Sequence, residues 1–150
     1  MLSIVFAAVK PGVKFLEINR AAQRVLAQGL ADMGVLTVSA EESMKPEVCL
    51  HRRWTLHGVS HHLGLDVHDC AQARKEMYLD SPLREGMVLT VEPGLYIQPD
   101  DELFAPEYRG IGIRIEDDVV VTADGCRNLS EDIPRHPDDI EKWMKRILGR

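Results

Sequence analysis

The 150-residue chain contains few cysteines, and Cys49, Cys70 and Cys126 lie far apart along it. An odd number of cysteines without a Cys-x-x-Cys pair argues against a disulfide framework and against a thiolate zinc site. Because unpaired thiols are typical of reducing compartments, we expect a cytoplasmic protein.

The chain also lacks an excess of positive charge, since 18 Lys and Arg residues face 24 Asp and Glu residues and the formal net charge is −6. The basic residues are scattered instead of clustered, so the sequence offers no basic stripe for a phosphate backbone. We therefore expect no nucleic-acid partner.

Long apolar runs are missing as well. The opening run "MLSIVFAAV" is interrupted by Lys10-Pro11-Gly12, which leaves it far short of a membrane span, and no basic residue precedes it. This pattern predicts a buried helix instead of a signal peptide, and we expect no membrane partner.

The composition that remains is that of one folded domain, with 45% hydrophobic and 28% charged residues. Residues 2–9 look helical and are followed by a Pro-Gly turn, and apolar spacing predicts a second helix over residues 16–33. The polar stretch 39–46 is expected to be a loop. A last helix begins at Pro137 and carries one apolar stripe, which we expect to be part of the core. The stripe consists of Ile140, Trp143, Met144, Ile147 and Leu148.

Two regions have the composition of strands. "MVLTV" over residues 87–91 ends before Pro93-Gly94, and "LYI" resumes extended structure. Residues 110–122 alternate, with an interruption expected at Asp117-Asp118 and a hairpin turn at residues 123–125. The alternation places Ile111, Ile113 and Ile115 on one face and Gly112, Arg114 and Glu116 on the other. A face made only of isoleucine suggests that the opposite face also lines something enclosed.

Titratable side chains crowd the segment "HGVSHHLGLDVHD", which runs from His57 to Asp69. His57 and His61 are four residues apart, but the glycines and Val59 favour a loop leading into a strand over a long helix. The His-Glu-x-x-His pattern of zinc peptidases is absent because Gly58 stands in place of the Glu. A single histidine is more often a hydrogen-bonded or surface side chain than a ligand. Four of them beside carboxylates are typical of a site for first-row divalent cations.

Glu92 and Glu116 are the carboxylates best placed to complete such a site. Glu92 ends an apolar strand where Pro93 stops the hydrogen-bonded ladder, and from this motif alone a solvated strand end is favoured over a ligand. Glu116 shares a strand face with Arg114, whose guanidinium would hold the carboxylate in orientation. The alternative for that pair is a surface ion pair of little energetic weight.

The three segments "HGVSHHLGLDVHD", "LREGMVLTVEPGLYI" and "EYRGIGIRIEDDVVVT", in this order, resemble the C-terminal catalytic domain of the Xaa-Pro aminopeptidases, also called aminopeptidase P, among the pita-bread-fold metallopeptidases. The resemblance extends over residues 2–143, and "RGIGIRIEDD" is more similar to aminopeptidase P than to prolidase. It implies an α+β protein with a partial pita-bread (creatinase/aminopeptidase) fold, in which helices cover a curved antiparallel sheet.

The resemblance also implies a site for two divalent cations, usually manganese, held by one imidazole and four carboxylates. By motif position the metal ligands of this chain are His61, Glu92 and Glu116. His57 and His68 match histidines that line the substrate cleft and assist proton transfer, and Glu92 matches the proton acceptor. Arg114 matches an arginine that supports a ligand carboxylate, whereas His62 is assigned no role.

The two remaining ligands of the family are aspartates on strands upstream of the helix that matches residues 2–9, and Asp66 and Asp69 belong to a different motif. We therefore expect residues 1–150 to be the C-terminal portion of a pita-bread metallopeptidase domain, without the N-terminal domain and the first metal-binding strands. A site without two carboxylates should bind a cation pair weakly, because carboxylate charge offsets the repulsion between the cations. An apolar face should also be left uncovered.

The function implied is a metal-dependent aminopeptidase that releases the N-terminal residue from peptides with proline at the second position, although the isolated chain is expected to be incomplete. The expected partners are that peptide and either a complementing N-terminal segment or further copies of the chain. Two alternatives stay open: a prolidase-type Xaa-Pro dipeptidase, and a non-catalytic pita-bread module that binds peptides or proteins. The retained histidines and glutamates count against the second alternative, because a binding module has no need of them.

Overall fold

The computed structural model describes residues 2–149. Within this range the α-helices are α1 (Leu2–Ala8), α2 (Phe15–Asp32), α3 (Ala40–Ser43), α4 (Lys75–Tyr78) and α5 (Pro137–Leu148). The β-strands are β1 (His62–Leu63), β2 (Val88–Val91), β3 (Gly94–Tyr96), β4 (Gly112–Arg114), β5 (Asp117–Val121) and β6 (Cys126–Asn128). Short 3-10 helices cover Leu50–Arg53 and Pro106–Tyr108.

The two helices predicted near the start of the chain are confirmed, and each buries one face. In α1, Val5 is fully buried while Ile4 is exposed, and α2 buries Ile18, Ala22 and Leu26 at helical spacing. None of the helices within residues 2–149 has the length and apolar character needed to cross a bilayer.

The stretch 39–46 was expected to be a loop, and that expectation is wrong for its first half, which forms α3. The side chain of Ser39 accepts a hydrogen bond from the backbone N–H of Glu42 at 3.1 Å. Ser39 therefore caps a single helical turn that has no apolar periodicity to reveal it.

The strands form an antiparallel sheet in the order β1-β2-β5-β6, and β3 and β4 form a separate pair. Both ladders share one register, because Val91 lies opposite Asp117 in the first and Gly94 lies opposite Arg114 in the second. The predicted turn at residues 123–125 is confirmed, since the N–H of Thr122 donates to the carbonyl of Gly125.

The interruption expected at Asp117-Asp118 is misplaced, because both aspartates belong to β5 and the break lies at residues 115–116. Asp117 is tolerated at 1% exposure since its carboxylate accepts from the Ser130 hydroxyl at 2.7 Å and forms an ion pair with Arg135.

The main core lies between helices α1 and α2 and one face of the four-stranded sheet. Its buried members include Val5, Ile18, Leu89, Val91 and Val119. Burial of this apolar surface stabilises the packing of the helices on the sheet.

A second cluster fixes the segment that leads into the first histidine motif. It includes Trp54 and Phe104, whose rings meet edge to face. The indole N–H of Trp54 donates to the carboxylate of Asp101 at 2.6 Å, and Arg53 pairs with the same group. Burial acts to raise the pKa of Asp101, but these hydrogen bonds outweigh it and hold the pKa below its usual value. The result is a rigid anchor shortly before residue 57.

The expectation that the stripe of α5 is core is wrong for the described residues. Trp143 is 41% exposed and Ile147 is 60% exposed. The periodicity correctly predicts an amphipathic helix, but none of the described residues covers that face. Strand β4 is likewise exposed along its length, including Ile113, so neither of its faces is enclosed.

Candidate metal centre

Glu92 and Glu116 meet because they occupy opposite positions in the break between the two ladders. The register that pairs Val91 with Asp117 and Gly94 with Arg114 places Glu92 directly across from Glu116. Residues directly opposite each other in an antiparallel pair have their side chains on the same face, so both side chains lie in the same gap.

His61 reaches this gap from the neighbouring strand. The N–H of Thr90 donates to the carbonyl of His61 at 2.9 Å, which places His61 opposite Thr90. Thr90 and Glu92 are two residues apart along an extended segment and therefore share a face of the sheet. The three residues singled out by motif thus converge, with one donor atom from each lying within 4.8 Å of the others.

The carboxylate of Glu92 is enclosed, with the residue only 8% exposed. The interpretation of its motif as a solvated strand end is therefore wrong. Its Oε1 lies 3.3 Å from His61 Nε2 and accepts a 3.3 Å hydrogen bond from the hydroxyl of Thr90. The same hydroxyl accepts from the backbone N–H of His61 at 3.1 Å, so Thr90 joins the two candidate ligands.

The imidazole of His61 is oriented with Nε2 toward the carboxylates. Its Nδ1 lies 3.1 Å from the carbonyl oxygen of His62, and because a carbonyl only accepts, Nδ1 carries the proton. Nε2 then presents a lone pair to Glu92 Oε1, and two facing acceptors are favourable only with a proton or a cation between them. The donor set therefore fits a cation.

Arg114 lies beside both carboxylates. Its Nη1 is 3.8 Å from Glu92 Oε2 and its Nε is 3.7 Å from Glu116 Oε2. The guanidinium is half exposed, so each pair is weak, but together they offset part of the negative charge in the gap.

The two histidines expected in the substrate cleft lie in different surroundings. His68 is exposed and its ring packs against that of His61 at 4.4 Å between centroids. His57 lies 2.7 Å from the hydroxyl of Tyr96 through Nε2 and 2.6 Å from the carbonyl of Gly58 through Nδ1. His68 therefore borders the candidate metal centre directly, whereas His57 is tied to strand β3.

His62 packs away from this cluster, between the rings of Phe15 and Tyr78. Burial lowers its pKa, with the carboxylate of Asp69 opposing that shift. A neutral packing role agrees with the absence of any assigned chemistry.

Two residues of the site were missed in the sequence, Thr90 and Tyr96. Thr90 is the polar residue of the otherwise apolar "VLTV", two positions before Glu92, and that same-face spacing was an available signal. Tyr96 gave a weaker signal, because its contact with His57 depends on where the chain brings residue 57.

A family model described as "Metallopeptidase family M24" matches residues 1–123 of the chain. The Xaa-Pro aminopeptidase 1 of Streptomyces coelicolor is 56% identical over 143 residues, which is 95% of this chain and 29% of the relative. Aminopeptidase PepP of Pseudomonas aeruginosa aligns with a TM-score of 0.87 at 37% identity, over 99% of this chain and 33% of that one. Aminopeptidase P from Escherichia coli, solved with the inhibitor Pro-Leu, aligns with a TM-score of 0.85 at 40% identity and equal coverage.

The chain thus spans about a third of the length of the relatives it matches. The predicted α+β fold, a partial pita-bread fold with helices on an antiparallel sheet, is confirmed by these structural likenesses. On the match of its sequence over most of its length, the chain belongs to metallopeptidase family M24.

Proposed function

We propose that this chain carries three ligands of the metal centre of an aminopeptidase that releases the N-terminal residue from Xaa-Pro peptides. The observation that carries the proposal is the convergence of His61, Glu92 and Glu116 within 4.8 Å in a chain 56% identical to an Xaa-Pro aminopeptidase.

The proposed cofactor is a pair of divalent cations, with manganese as the metal. One imidazole and two carboxylates are suited to a first-row divalent ion, and hard oxygen donors favour manganese over softer metals. When bound, such cations polarise the scissile carbonyl and lower the pKa of water. Within residues 2–149 the cluster supplies two carboxylates, so any further carboxylate ligands would lie outside these residues.

The residues of the chain divide the remaining work between them. Glu92 is placed to accept the proton of the attacking water, because its carboxylate is enclosed and held by Thr90. His68 borders the cluster with an exposed ring and is placed to contact the peptide at the scissile bond. Arg114 supports both glutamates from the open side.

We propose a cytoplasmic location on the strength of the free thiols of Cys49, Cys70 and Cys126. Localisation of the tagged protein in its source cell, with and without a reducing agent during lysis, tests this.

Complementation tests the activity. The chain is mixed with the part of the Streptomyces coelicolor relative that lies outside the matched 143 residues, and manganese is added. We expect release of the first residue from Xaa-Pro-Xaa peptides by the mixture and none by either part alone.

Three controls sharpen the assay. Glu116→Gln should abolish turnover, whereas Glu131→Gln, at an exposed position outside the cluster, should leave it unchanged. An Xaa-Ala-Xaa peptide should be a poor substrate. Cleavage confined to Xaa-Pro dipeptides would assign the chain to a dipeptidase instead, and a mixture that assembles without any turnover would refute the proposal.

A further inference from the structure

Both ring nitrogens of His57 are engaged by neighbours. Nδ1 lies 2.6 Å from the carbonyl oxygen of Gly58, which only accepts, so Nδ1 must carry a proton. Nε2 lies 2.7 Å from the hydroxyl of Tyr96. With Nδ1 protonated in a neutral imidazole, Nε2 is the acceptor and the tyrosine hydroxyl is the donor.

The surroundings of Tyr96 are shaped to allow this contact. Tyr96 lies on β3 opposite Gly112 of β4, and Gly94 precedes it on the same face of the strand. A Cβ at Gly112 would lie 3.0 Å from Tyr96 Cδ1, so the absence of a side chain lets the ring lie against the strand.

Gly94 leaves the space in which the two polar groups meet. A Cβ there would lie 2.6 Å from the hydroxyl oxygen of Tyr96 and 2.8 Å from His57 Nε2. Gly94 and Gly112 are both outside the group of glycines with positive φ, so backbone conformation does not require glycine at either position. Both glycines are instead needed because they leave space beside β3 for the ring of Tyr96.

From this geometry we infer that Tyr96 is a positioning residue for His57, and that its hydroxyl holds the ring as the Nδ1–H tautomer, with Nε2 as the acceptor. The resemblance assigns His57 to proton transfer together with His68. The geometry separates the two histidines, since His57 is fixed by Tyr96 and the ring of His68 lies next to His61.

The tautomer and the hydrogen bond are properties of the chain by itself, whereas the consequence for catalysis rests on the proposed function. The two are therefore tested separately. The first experiment needs neither metal nor substrate, so its failure and a failure of the peptidase proposal are distinguishable.

The direct test is nitrogen NMR of the chain with ¹⁵N-labelled histidine at about pH 8, where an unperturbed imidazole is neutral. We expect His57 to show a protonated Nδ1 and an unprotonated, hydrogen-bonded Nε2. In Tyr96→Phe the Nε2 resonance should shift to that of an imidazole nitrogen without a hydrogen bond. A tyrosine that served only to pack the ring would leave the spectrum unmoved, because phenylalanine keeps the ring.

Two controls and a second variant accompany it. Tyr108→Phe removes an exposed hydroxyl and should leave His57 unchanged. Gly94→Ala should reproduce the Nε2 shift by forcing the pair apart, whereas Gly29→Ala, which faces open space on α2, should not. The inference is overturned if His57 carries its proton on Nε2, or if Tyr96→Phe leaves the Nε2 resonance where it is.

In the complemented enzyme, Tyr96→Phe should raise KM more than it lowers kcat, because the ring of His57 is retained but loses its fixed orientation. A Tyr96→Phe enzyme with KM and kcat both unchanged would also overturn the inference.

Discussion

Glu92 faces Glu116 across the position where the β2–β5 ladder stops and the β3–β4 ladder begins. Like charges directly opposite each other destabilise an antiparallel pair. Arg114 offsets part of this repulsion from a half-exposed position, and a divalent cation would offset it more fully. The break in the ladder is therefore suited to a cation.

Removal of one of these carboxylates should weaken metal binding. We expect Glu116→Gln to lower the affinity of the chain for manganese at least about tenfold, because a contact between a carboxylate and a divalent cation in a partly enclosed site exceeds 1.4 kcal/mol. Isothermal titration calorimetry measures this, with Glu131→Gln as the control for a general loss of negative charge. Equal affinities of Glu116→Gln and the unchanged chain would show that the cluster is not the binding site.

Thr90 should matter for stability as well as for the site. The residue is 1% exposed, and its hydroxyl accepts a hydrogen bond from the N–H of His61 and donates one to Glu92. Thr90→Val keeps the shape but leaves both partners without the hydroxyl, so the free energy of unfolding should fall by about 1–3 kcal/mol. Urea denaturation checks this.

Thr90→Ser is the matched control for that change, because it restores the hydroxyl and removes only a methyl group. It should retain most of the stability that Thr90→Val loses. If valine is tolerated as well as serine, the hydroxyl does not connect His61 to Glu92 in solution.

The sequence predicted the ligand set but not the way in which it is assembled. His61, Glu92 and Glu116 could be identified from the sequence because they belong to three motifs with a known order. The shared register of the two ladders could not be predicted from the sequence, since it depends on which strands pair. The contacts of Thr90 with His61 and of Tyr96 with His57 were hidden for a similar reason, because they form only when distant parts of the chain come together.

The helices likewise include features that the sequence predicts and features that it does not. Periodicity predicted α2 nearly to the residue, because an amphipathic pattern over several turns is a strong signal. The pattern of α5 was equally clear, but periodicity reports that a face is apolar and not what covers it. Helix α3 was missed because a single turn is specified by its Ser39 cap and not by a pattern.

His51 should make the stability of the chain sensitive to acid. The residue is 3% exposed, and its Nδ1 lies 2.8 Å from the carbonyl oxygen of Ser43. Burial lowers the pKa of His51, with the Ser43 carbonyl opposing the shift and the charge of Arg52 adding to it.

Since the folded pKa of His51 lies below the unfolded value of about 6.5, the unfolded chain takes up the proton first as the pH falls. Stability should therefore decrease below about pH 6.5. His51→Gln keeps a donor for Ser43 and cannot titrate, so it should lose less stability than the unchanged chain between about pH 7.5 and about pH 5.5. Urea midpoints at the two pH values measure the difference.

His136→Gln is the control for that comparison, because His136 is largely exposed. It should follow the unchanged chain. The pH dependence of stability should be smaller in His51→Gln but should not disappear, since burial also lowers the pKa of His62. Identical pH dependence with and without His51 would mean that its ring is solvated or already protonated in the fold.

The burial of the sheet and the exposure of α5 give opposite expectations for two similar truncations. Leu89 is fully buried in the main core, so Leu89→Ala should lower the free energy of unfolding by about 2–5 kcal/mol through lost burial and a residual cavity. Ile147 is 60% exposed on α5, so Ile147→Ala should change it by no more than about 0.5 kcal/mol. Chemical denaturation of the chain at low concentration measures both. A cost for Ile147→Ala comparable to that for Leu89→Ala would mean that the stripe of α5 is buried in solution, because a side chain in water has little burial to lose.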